Sequence, residues 1–373
     1  MNLKKWILFI LIYCLNPGSL FSKSVPDIFI ISKITPHVYI AHPGRIKRIN
    51  STSTIIVGSS FITIVESQTD VFMAAALISE IRKNISKLPI KYLIFSHAHL
   101  DHILGAGAFL KENSAIRIIA EQRAAAHIVM QGKSEIESWE AVIKLKINVA
   151  KDFAETSKTQ AQKSYFIQTA GELDTYYRDV HSSKIVAPNL TFSDSLTLDE
   201  DGLRMKLIYL GAGHTSGDIV VFIPEDRVLV TGDLVHDFEP LFQDADPDSW
   251  IRVLDKIKHM DFDYFVGGHG DMHKGKEIIN NWSAFMQELI SKIRGAIREG
   301  QSLENFNKQI SAKSFTSLQN GYGQRIQQFR SGYMEFWIGS LDDAIKGEVI
   351  PIWKFYSPAY LSKTVHNIPV GEL

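Results

Sequence analysis

The stretch that decides the fold is His97-Ala98-His99-Leu100-Asp101-His102, which places three imidazoles and a carboxylate in one short loop. It follows the mostly apolar run 90–95 after a single serine, and this run is typical of a buried strand. Imidazole and carboxylate are the ligands that zinc and similar cations accept. Alternate positions of an extended chain point the same way, so His97 and His99 can hold one ion. Asp101 and His102, where the loop turns into a helix, then face a second ion, and two-metal sites hold their ions roughly 3.5 to 4 Å apart.

One loop cannot complete two coordination shells, and three later segments offer further ligands. These segments are Gly213-His214-Thr215, Thr231-Gly232-Asp233 and Gly268-His269-Gly270. Each follows a strand-like run, at the carboxyl end where ligand sites of layered α/β folds collect. Asp233 alone would be read as a turn or helix-cap residue, but the other segments favour a metal ligand.

In this order and at these spacings, the four segments resemble the metallo-β-lactamase superfamily of metallohydrolases over about residues 34 to 275. The resemblance implies an α/β fold, the four-layer αβ/βα sandwich of that family. It also implies that His97, His99 and His214 hold the first metal, that Asp101, His102 and His269 hold the second, and that Asp233 bridges them. The implied cofactor is two zinc ions per subunit, with iron or manganese as possible substitutes.

The function implied by the resemblance is a dinuclear zinc-dependent hydrolase. A metal-bridging hydroxide would attack an ester, lactone, thioester or amide bond of a small-molecule substrate, with Asp101 as the catalytic residue that also orients the hydroxide. Two alternatives stay open: a phosphodiesterase of the same superfamily, and a periplasmic metal-binding accessory protein without turnover. Asp233 and the absence of a cysteine ligand disfavour antibiotic hydrolysis, and Asp218 stands where glyoxalase II has a histidine.

Several residues near these segments are candidates for supporting roles. Thr215, Ser216 and Asp218 are expected to hydrogen-bond the ligand imidazoles. His236 and His273 are either acids or substrate contacts, or surface residues. Glu66 occupies a strand-end position where relatives commonly have aspartate. The remaining histidines are expected to have no metal role; they are His37, His42, His127, His181, His259 and His366.

Residues 1–24 have the pattern of a secretory signal peptide: Lys4 and Lys5 precede an apolar stretch over residues 6–15. This stretch is too short to span a bilayer, so we predict a periplasmic or secreted protein without stable membrane insertion. Cys14 is the only cysteine, and the bulky Tyr13 before it argues against lipidation. Cleavage leaves 37 basic against 41 acidic residues, which gives no electrostatic basis for binding nucleic acid.

The remaining chain is predicted to form a hydrolase domain over residues 25–279 and a C-terminal helical extension over residues 280–373. Strands are expected over 38–41, 53–57 and 61–65, a helix over 71–83, and the second βα half from near Leu190. A mostly helical insertion at about 121–188 either overhangs the metals or packs outside the sandwich. The aromatic residues of the extension are expected in packing or in dimer contacts rather than in substrate binding, and the second of these readings predicts a homodimer.

Overall fold

The computed structural model describes residues 28–318, except for positions 45–49, 201, 237–239, 243, 303–304, 307–308 and 311–313. The predicted signal peptide and most of the predicted C-terminal extension therefore lie outside the described residues. The described chain forms two sheets and the helices that cover them. The strands are β1 Phe29–Lys33, β2 Val38–Pro43, β3 Ser53–Val57, β4 Ile62–Val65, β5 Ile90–Ile94, β6 Arg117–Glu121, β7 Leu190–Phe192, β8 Ser195–Glu200, β9 Leu203–Tyr209, β10 Ile219–Ile223, β11 Val228–Gly232, β12 Tyr264–Gly267 and β13 Met272–Lys274.

The helices are α1 Val71–Asn84, α2 Leu100–Ile103, α3 Ala106–Glu112, α4 Gln122–Thr156, α5 Gln160–Ser182, α6 Pro247–His259 and α7 Glu277–Arg298. Aspartates start two of them. Asp70 accepts a hydrogen bond from the Met73 amide at the start of α1, and Asp246 accepts one from the Ser249 amide at the start of α6. A short 3₁₀ turn follows at Thr316–Leu318.

The first sheet has the strand order β1-β2-β3-β4-β5-β6-β7, and the second has the order β13-β12-β11-β10-β9-β8. β4 to β7 run parallel to one another, as do β11 and β12, whereas the other neighbouring pairs are antiparallel. The second half was expected from near Leu190, and the second sheet begins shortly after it, at β8. Leu190 itself lies in β7, which pairs with β6 and belongs to the first sheet.

Three apolar layers hold the sandwich together. Residues such as Ile40, Ile56 and Val230 fill the space between the two sheets. The outer face of the first sheet packs against α1 and α3, and the outer face of the second packs against α6 and α7. Helices on the two outer faces of two packed sheets make a four-layer αβ/βα sandwich, so the predicted fold class is confirmed.

Two long helices, α4 and α5, occupy the region of the predicted insertion and pack against each other. Their shared core includes Ile143, Leu173 and Tyr176, and it extends to Leu104, which follows the short helix α2 of the histidine loop. The insertion therefore packs beside that loop. Among the described residues, the search for a helix long and apolar enough to cross a bilayer finds no candidate.

Candidate metal centre

The predicted ligand segments meet at one edge of the sandwich, because each follows the carboxyl end of a strand. The histidine loop follows β5, His214 follows β9, Asp233 follows β11 and His269 follows β12. Among the described residues, ligand atoms lie within 4.8 Å of one another in the group His97, His99, His214 and Asp233, and likewise in the group Asp101, His102 and His269. The structure thus brings together all seven residues that the sequence singled out.

In the first group, His214 lies close to both His99 and Asp233. Its Nε2 lies 3.0 Å from His99 Nδ1 and 3.6 Å from Asp233 Oδ2. His97 Nε2 lies 4.0 Å from the same carboxylate oxygen. Three imidazole nitrogens and one carboxylate oxygen therefore surround a common point, which is the donor number and type that zinc accepts.

In the second group, Asp101 lies between two imidazoles. Its Oδ2 is 3.2 Å from His269 Nε2 and 3.5 Å from His102 Nε2. Asp233 reaches the same pair, with Oδ2 at 3.4 Å from His269 Nε2 and Oδ1 at 3.5 Å from His102 Nε2. Asp233 is therefore shared by both groups, as a bridging ligand would be.

Each of the five imidazoles has one ring nitrogen toward the cluster and the other toward a protein group outside it. Two imidazoles bond side chains: His97 Nδ1 lies 2.9 Å from Ser96 Oγ, and His99 Nε2 lies 3.0 Å from Asp244 Oδ2. Two donate to backbone carbonyls, His214 Nδ1 to Leu241 at 3.0 Å and His269 Nδ1 to Asn50 at 2.9 Å. The fifth, His102, has its Nδ1 3.4 Å from Glu66 Oε2. Such outer partners orient a ligand histidine and fix its tautomer.

Buried polar atoms at the centre of the cluster test whether a cation fits there. His97 Nε2, His102 Nε2 and Asp233 Oδ1 are buried, and none of them makes a hydrogen bond with the described residues. Leaving such atoms without a partner costs free energy. A divalent cation coordinated by these atoms would remove that cost, so the residues present fit a metal centre.

Burial lowers the pKa of two imidazoles of the first group. The pKa of His97 lies well below its usual value, and the pKa of His214 falls to about 4, with the neighbouring imidazoles adding to the effect. Burial also opposes protonation of His99, but the hydrogen bond to Asp244 outweighs it and raises the pKa of His99 to about 9. In the absence of metal, His97 and His214 are therefore neutral at pH 7 and His99 is protonated.

The carboxylates dominate the second group. Burial opposes charge on His269, but Asp233 and Asp101 raise its pKa to about 10, and Asp233 and Asp101 likewise raise the pKa of His102. Conversely, burial opposes ionisation of Asp233 and Asp101, but the adjacent histidines hold the pKa of each carboxyl below its usual range. This half of the centre concentrates negative charge on carboxylates, which suits a cation.

Two features of the chain beside the cluster restrict which residues it can contain: a left-handed backbone at Glu66 and Gln68, and close packing at Gly268. Glu66 and Gln68 both have left-handed backbone with φ of 73° and 75°, which is uncommon for residues with side chains. Gly268 is required for a different reason: a Cβ atom there would lie 2.0 Å from Asp233 Oδ1 and 2.9 Å from His102 Cε1. The chain beside the cluster therefore has space only for glycine at position 268.

The expectation that Thr215, Ser216 and Asp218 hydrogen-bond the ligand imidazoles needs correction. Asp218 accepts hydrogen bonds from the Thr215 amide at 2.7 Å, the Thr215 hydroxyl at 2.9 Å and the Gly213 amide at 3.2 Å, so Thr215 and Asp218 shape the loop rather than bond an imidazole. The Ser216 carbonyl accepts a hydrogen bond from Tyr209 at 3.2 Å. The outer nitrogen of His214 is instead bonded by Leu241.

His236 and His273 lie in different surroundings. His236 is buried, with its ring 5.4 Å from that of His269 and 4.9 Å from that of Trp282, which excludes a surface position. His273 lies on β13, with its ring 5.0 Å from that of Phe265. Their catalytic or substrate-binding role stays a prediction.

Sequence reasoning missed four groups that contact the imidazoles from outside: Ser96, Asp244 and the carbonyls of Leu241 and Asn50. A backbone carbonyl carries no residue-type signal. Asp244 is one of several acidic residues in a short stretch, and nothing in its neighbours distinguishes it. Only the folded chain brings it beside His99, which is 145 positions away along the chain.

Comparisons with known proteins agree with this architecture. Residues 47–269 match the sequence model of the metallo-beta-lactamase superfamily. The type 2 metallo-beta-lactamase of Bacteroides fragilis is 35% identical over 109 residues, which is 28% of this chain and 43% of that protein. The linear primary-alkylsulfatase of a Pseudomonas strain is 25% identical over 252 residues, 62% of this chain and 43% of that protein. The structure of a stereoselective inverting sec-alkylsulfatase from Pseudomonas sp. covers 75% of this chain and 45% of its own, with 15% identity and a TM-score of 0.56.

The chain belongs to the metallo-β-lactamase superfamily, since the family match extends over more than half of its length. The aligned parts cover less than half the length of the two curated relatives. The resemblance stated from the sequence motifs is thereby confirmed at the level of the family and its fold.

Proposed function

We propose that this protein is a dinuclear zinc hydrolase that cleaves an ester, lactone, thioester or amide bond in a small-molecule substrate. The observation that carries the proposal is the convergence of five imidazoles and two carboxylates, each imidazole with one nitrogen toward the shared centre and the other toward an outside group. In this assignment His97, His99 and His214 hold the first ion, Asp101, His102 and His269 hold the second, and Asp233 belongs to both. Bound zinc ions supply a nucleophile at neutral pH by lowering the pKa of water, and they polarise the bond to be cleaved.

Asp101 has the position expected of a group that acts on the reacting water. Its side chain is about a fifth exposed, whereas Asp233 and His102 are almost completely buried. Its pKa lies below the usual range, so the carboxylate is ionised at neutral pH and can accept a hydrogen bond from water at an oxygen atom. Asp101 therefore combines membership of the cluster with access to solvent, which supports this proposed role.

The candidate substrates fall into classes that differ in the reacting centre. The alignment with the alkylsulfatase is more than twice as long as the alignment with the type 2 metallo-beta-lactamase. This favours sulfate-ester hydrolysis as a second candidate. Phosphodiester hydrolysis and a non-catalytic accessory role stay open beside it, and the same substrate panel distinguishes them.

Location and assembly follow from the sequence reading. We propose that the protein acts in the periplasm or is secreted, because residues 1–24 have the pattern of a signal peptide. A homodimer formed through the C-terminal extension is the proposed assembly, without nucleic acid as a partner.

The deciding experiment is hydrolysis of a chromogenic panel by purified protein loaded with zinc. The panel contains carboxylic esters, lactones, thioesters, cephalosporins, alkyl sulfates and phosphodiesters. We expect turnover of one class, loss on chelation and recovery when zinc is added back. The His97→Ala variant serves as the matched negative control, and turnover that persists in this variant and in chelated protein would refute the proposal.

A further inference from the structure

The segment between β11 and α6 holds two histidines of the first group from outside. The Leu241 carbonyl accepts a hydrogen bond from His214 Nδ1 at 3.0 Å, and Asp244 Oδ2 accepts one from His99 Nε2 at 3.0 Å. The segment is fixed in turn, because the Asp246 amide donates to the Gly213 carbonyl at 3.0 Å and the Asp246 side chain starts α6. One short loop therefore controls the orientation of two imidazoles.

His99 differs from the other four imidazoles in the nitrogen that faces the cluster. It presents Nδ1, which lies 3.0 Å from His214 Nε2, whereas the others present Nε2 toward Asp233. A carboxylate can only accept a hydrogen bond, so the proton of a neutral His99 must sit on Nε2, facing Asp244. The lone pair of Nδ1 is then free for a cation.

Asp244 also affects the distribution of charge around the cluster. The second group contains Asp101 and shares Asp233, and Glu66 lies outside both groups, next to His102 and within 4.8 Å of His97. The first group contains three imidazoles and only the shared Asp233. Asp244 is mostly buried, with its side chain 14% exposed, so it adds a second negative charge beside the first group, whose own carboxylate is the shared Asp233. Burial opposes its ionisation, but the hydrogen bond with His99 keeps the pKa of Asp244 below its usual value.

We propose that Asp244 is a positioning residue for the first metal: it fixes the tautomer and ring orientation of His99 and increases the affinity of Nδ1 for the ion. This inference rests on the proposed function, since it requires that His99 is a ligand. Outer partners of this kind typically change metal affinity by about 10- to 100-fold when they are removed.

The test is a competition for zinc between the metal-free protein and a chromophoric zinc chelator. It measures the affinity of the protein for each ion without any substrate. We expect Asp244→Ala to weaken the binding of one of the two zinc ions by about 10- to 100-fold and to leave the binding of the other unchanged. Asp244→Asn, which keeps an accepting oxygen but loses the charge, should weaken the same ion by less. The matched control is Asp248→Asn, because Asp248 is half-exposed and pairs with Arg294 away from the cluster.

A second comparison shows whether Asp244 acts through His99. In a His99→Ala background, Asp244→Ala should cause no further loss of affinity. Equal losses with and without His99, or wild-type affinity in both Asp244 variants, would overturn the inference. If the alanine variant fails to fold, the asparagine variant decides by the same criterion. Failure of the wild-type protein to bind zinc would instead refute the proposed function.

Discussion

At the residue scale, Asp233 and Asp101 have different surroundings although both are carboxylates of the same cluster. Asp233 is almost fully buried and reaches imidazoles of both groups, so its removal affects both halves. Asp101 contacts only the second group and is partly exposed. The two residues can therefore be separated by mutation.

Replacement of Asp101 by asparagine should lower turnover by about 100-fold or more, since the amide keeps the volume but loses the charge that orients the water. The first ion should stay bound, because Asp101 lies in the other group. Steady-state kinetics together with metal analysis measure both effects. Asp174→Asn, at a half-exposed position of α5, is the matched control, and near-normal turnover in Asp101→Asn would place the chemistry elsewhere.

The pKa values of the cluster predict that zinc binding at pH 7 releases protons. The pKa of His99 is about 9 and that of His269 about 10, so both are protonated in metal-free protein, whereas a ligand imidazole must be neutral. Zinc affinity should accordingly rise as the pH increases from 7 toward 10. Calorimetric titrations in buffers of different ionisation enthalpy measure the release, and identical heats in all buffers would contradict it.

At the scale of elements, the site depends on how closely the turn after β12 approaches the segment after β11. The Gly268 amide donates to the Gly232 carbonyl at 2.8 Å, and Gly232 itself has φ of 52°. A Cβ atom at Gly232 would lie 2.4 Å from Ser96 Oγ, beside the histidine loop. Glycine at both positions lets three ligand segments meet.

Gly268→Ala should destabilise the protein by about 1 to 3 kcal/mol and weaken metal binding, because the new methyl group overlaps Asp233 Oδ1. Thermal unfolding and metal analysis provide the measurements. Gly171→Ala is the control, since a Cβ atom there meets no atom within 4 Å and alanine favours the helix α5 by about 0.5 to 1 kcal/mol. Equal behaviour of the two variants would show that the close approach is unimportant.

The helical insertion is connected to the same edge of the sandwich. The Tyr176 hydroxyl of α5 lies 3.0 Å from Thr69 Oγ1 and accepts a hydrogen bond from Trp139 of α4 at 3.0 Å. Two positions before Thr69, the Ser67 amide and hydroxyl both donate to the His102 carbonyl, at 2.7 and 3.0 Å. Hydrogen bonds from the segment 67–69 thus connect α5 on one side and the histidine loop on the other, so the insertion helices pack against the part of the chain that supports this loop.

At the scale of the whole molecule, the seven ligand candidates exceed the needs of one tetrahedral ion. Protein purified without chelator should contain close to two zinc equivalents per subunit. Chelation should lower the melting temperature by roughly 10 °C, because tightly bound ions stabilise only the folded state. Metal analysis and calorimetry decide, and a stoichiometry that stays at one after reconstitution would refute the dinuclear assignment.

The predicted signal peptide gives the last expectation for the whole chain. Protein isolated from its native cell should begin near residue 25, because the apolar stretch of residues 6–15 is bounded by Lys4 and Lys5 before it and small residues after it. Intact-mass measurement of the native protein reads out the cleavage directly. A full-length amino terminus or a lipid on Cys14 would contradict the proposed location.

The sequence by itself determined the family, the fold class and the seven ligand candidates. Metal ligands belong to few residue types, and strands that end in histidine, aspartate and glycine place them at one edge, so local patterns carried the information. The predicted strand over 53–57 and the helix over 71–83 agree with β3 and α1 to within one residue.

Only the tertiary structure decided that Asp244 and two backbone carbonyls contact the imidazoles from outside. Asp244, the Leu241 carbonyl and the Asn50 carbonyl lie far along the chain from their histidines and carry no local signal. Likewise, β7 belongs to the first sheet because it pairs with β6, and the short sequence of β7 does not by itself indicate this. Local patterns specify side-chain type and strand ends, whereas contacts between distant segments depend on how the whole chain packs.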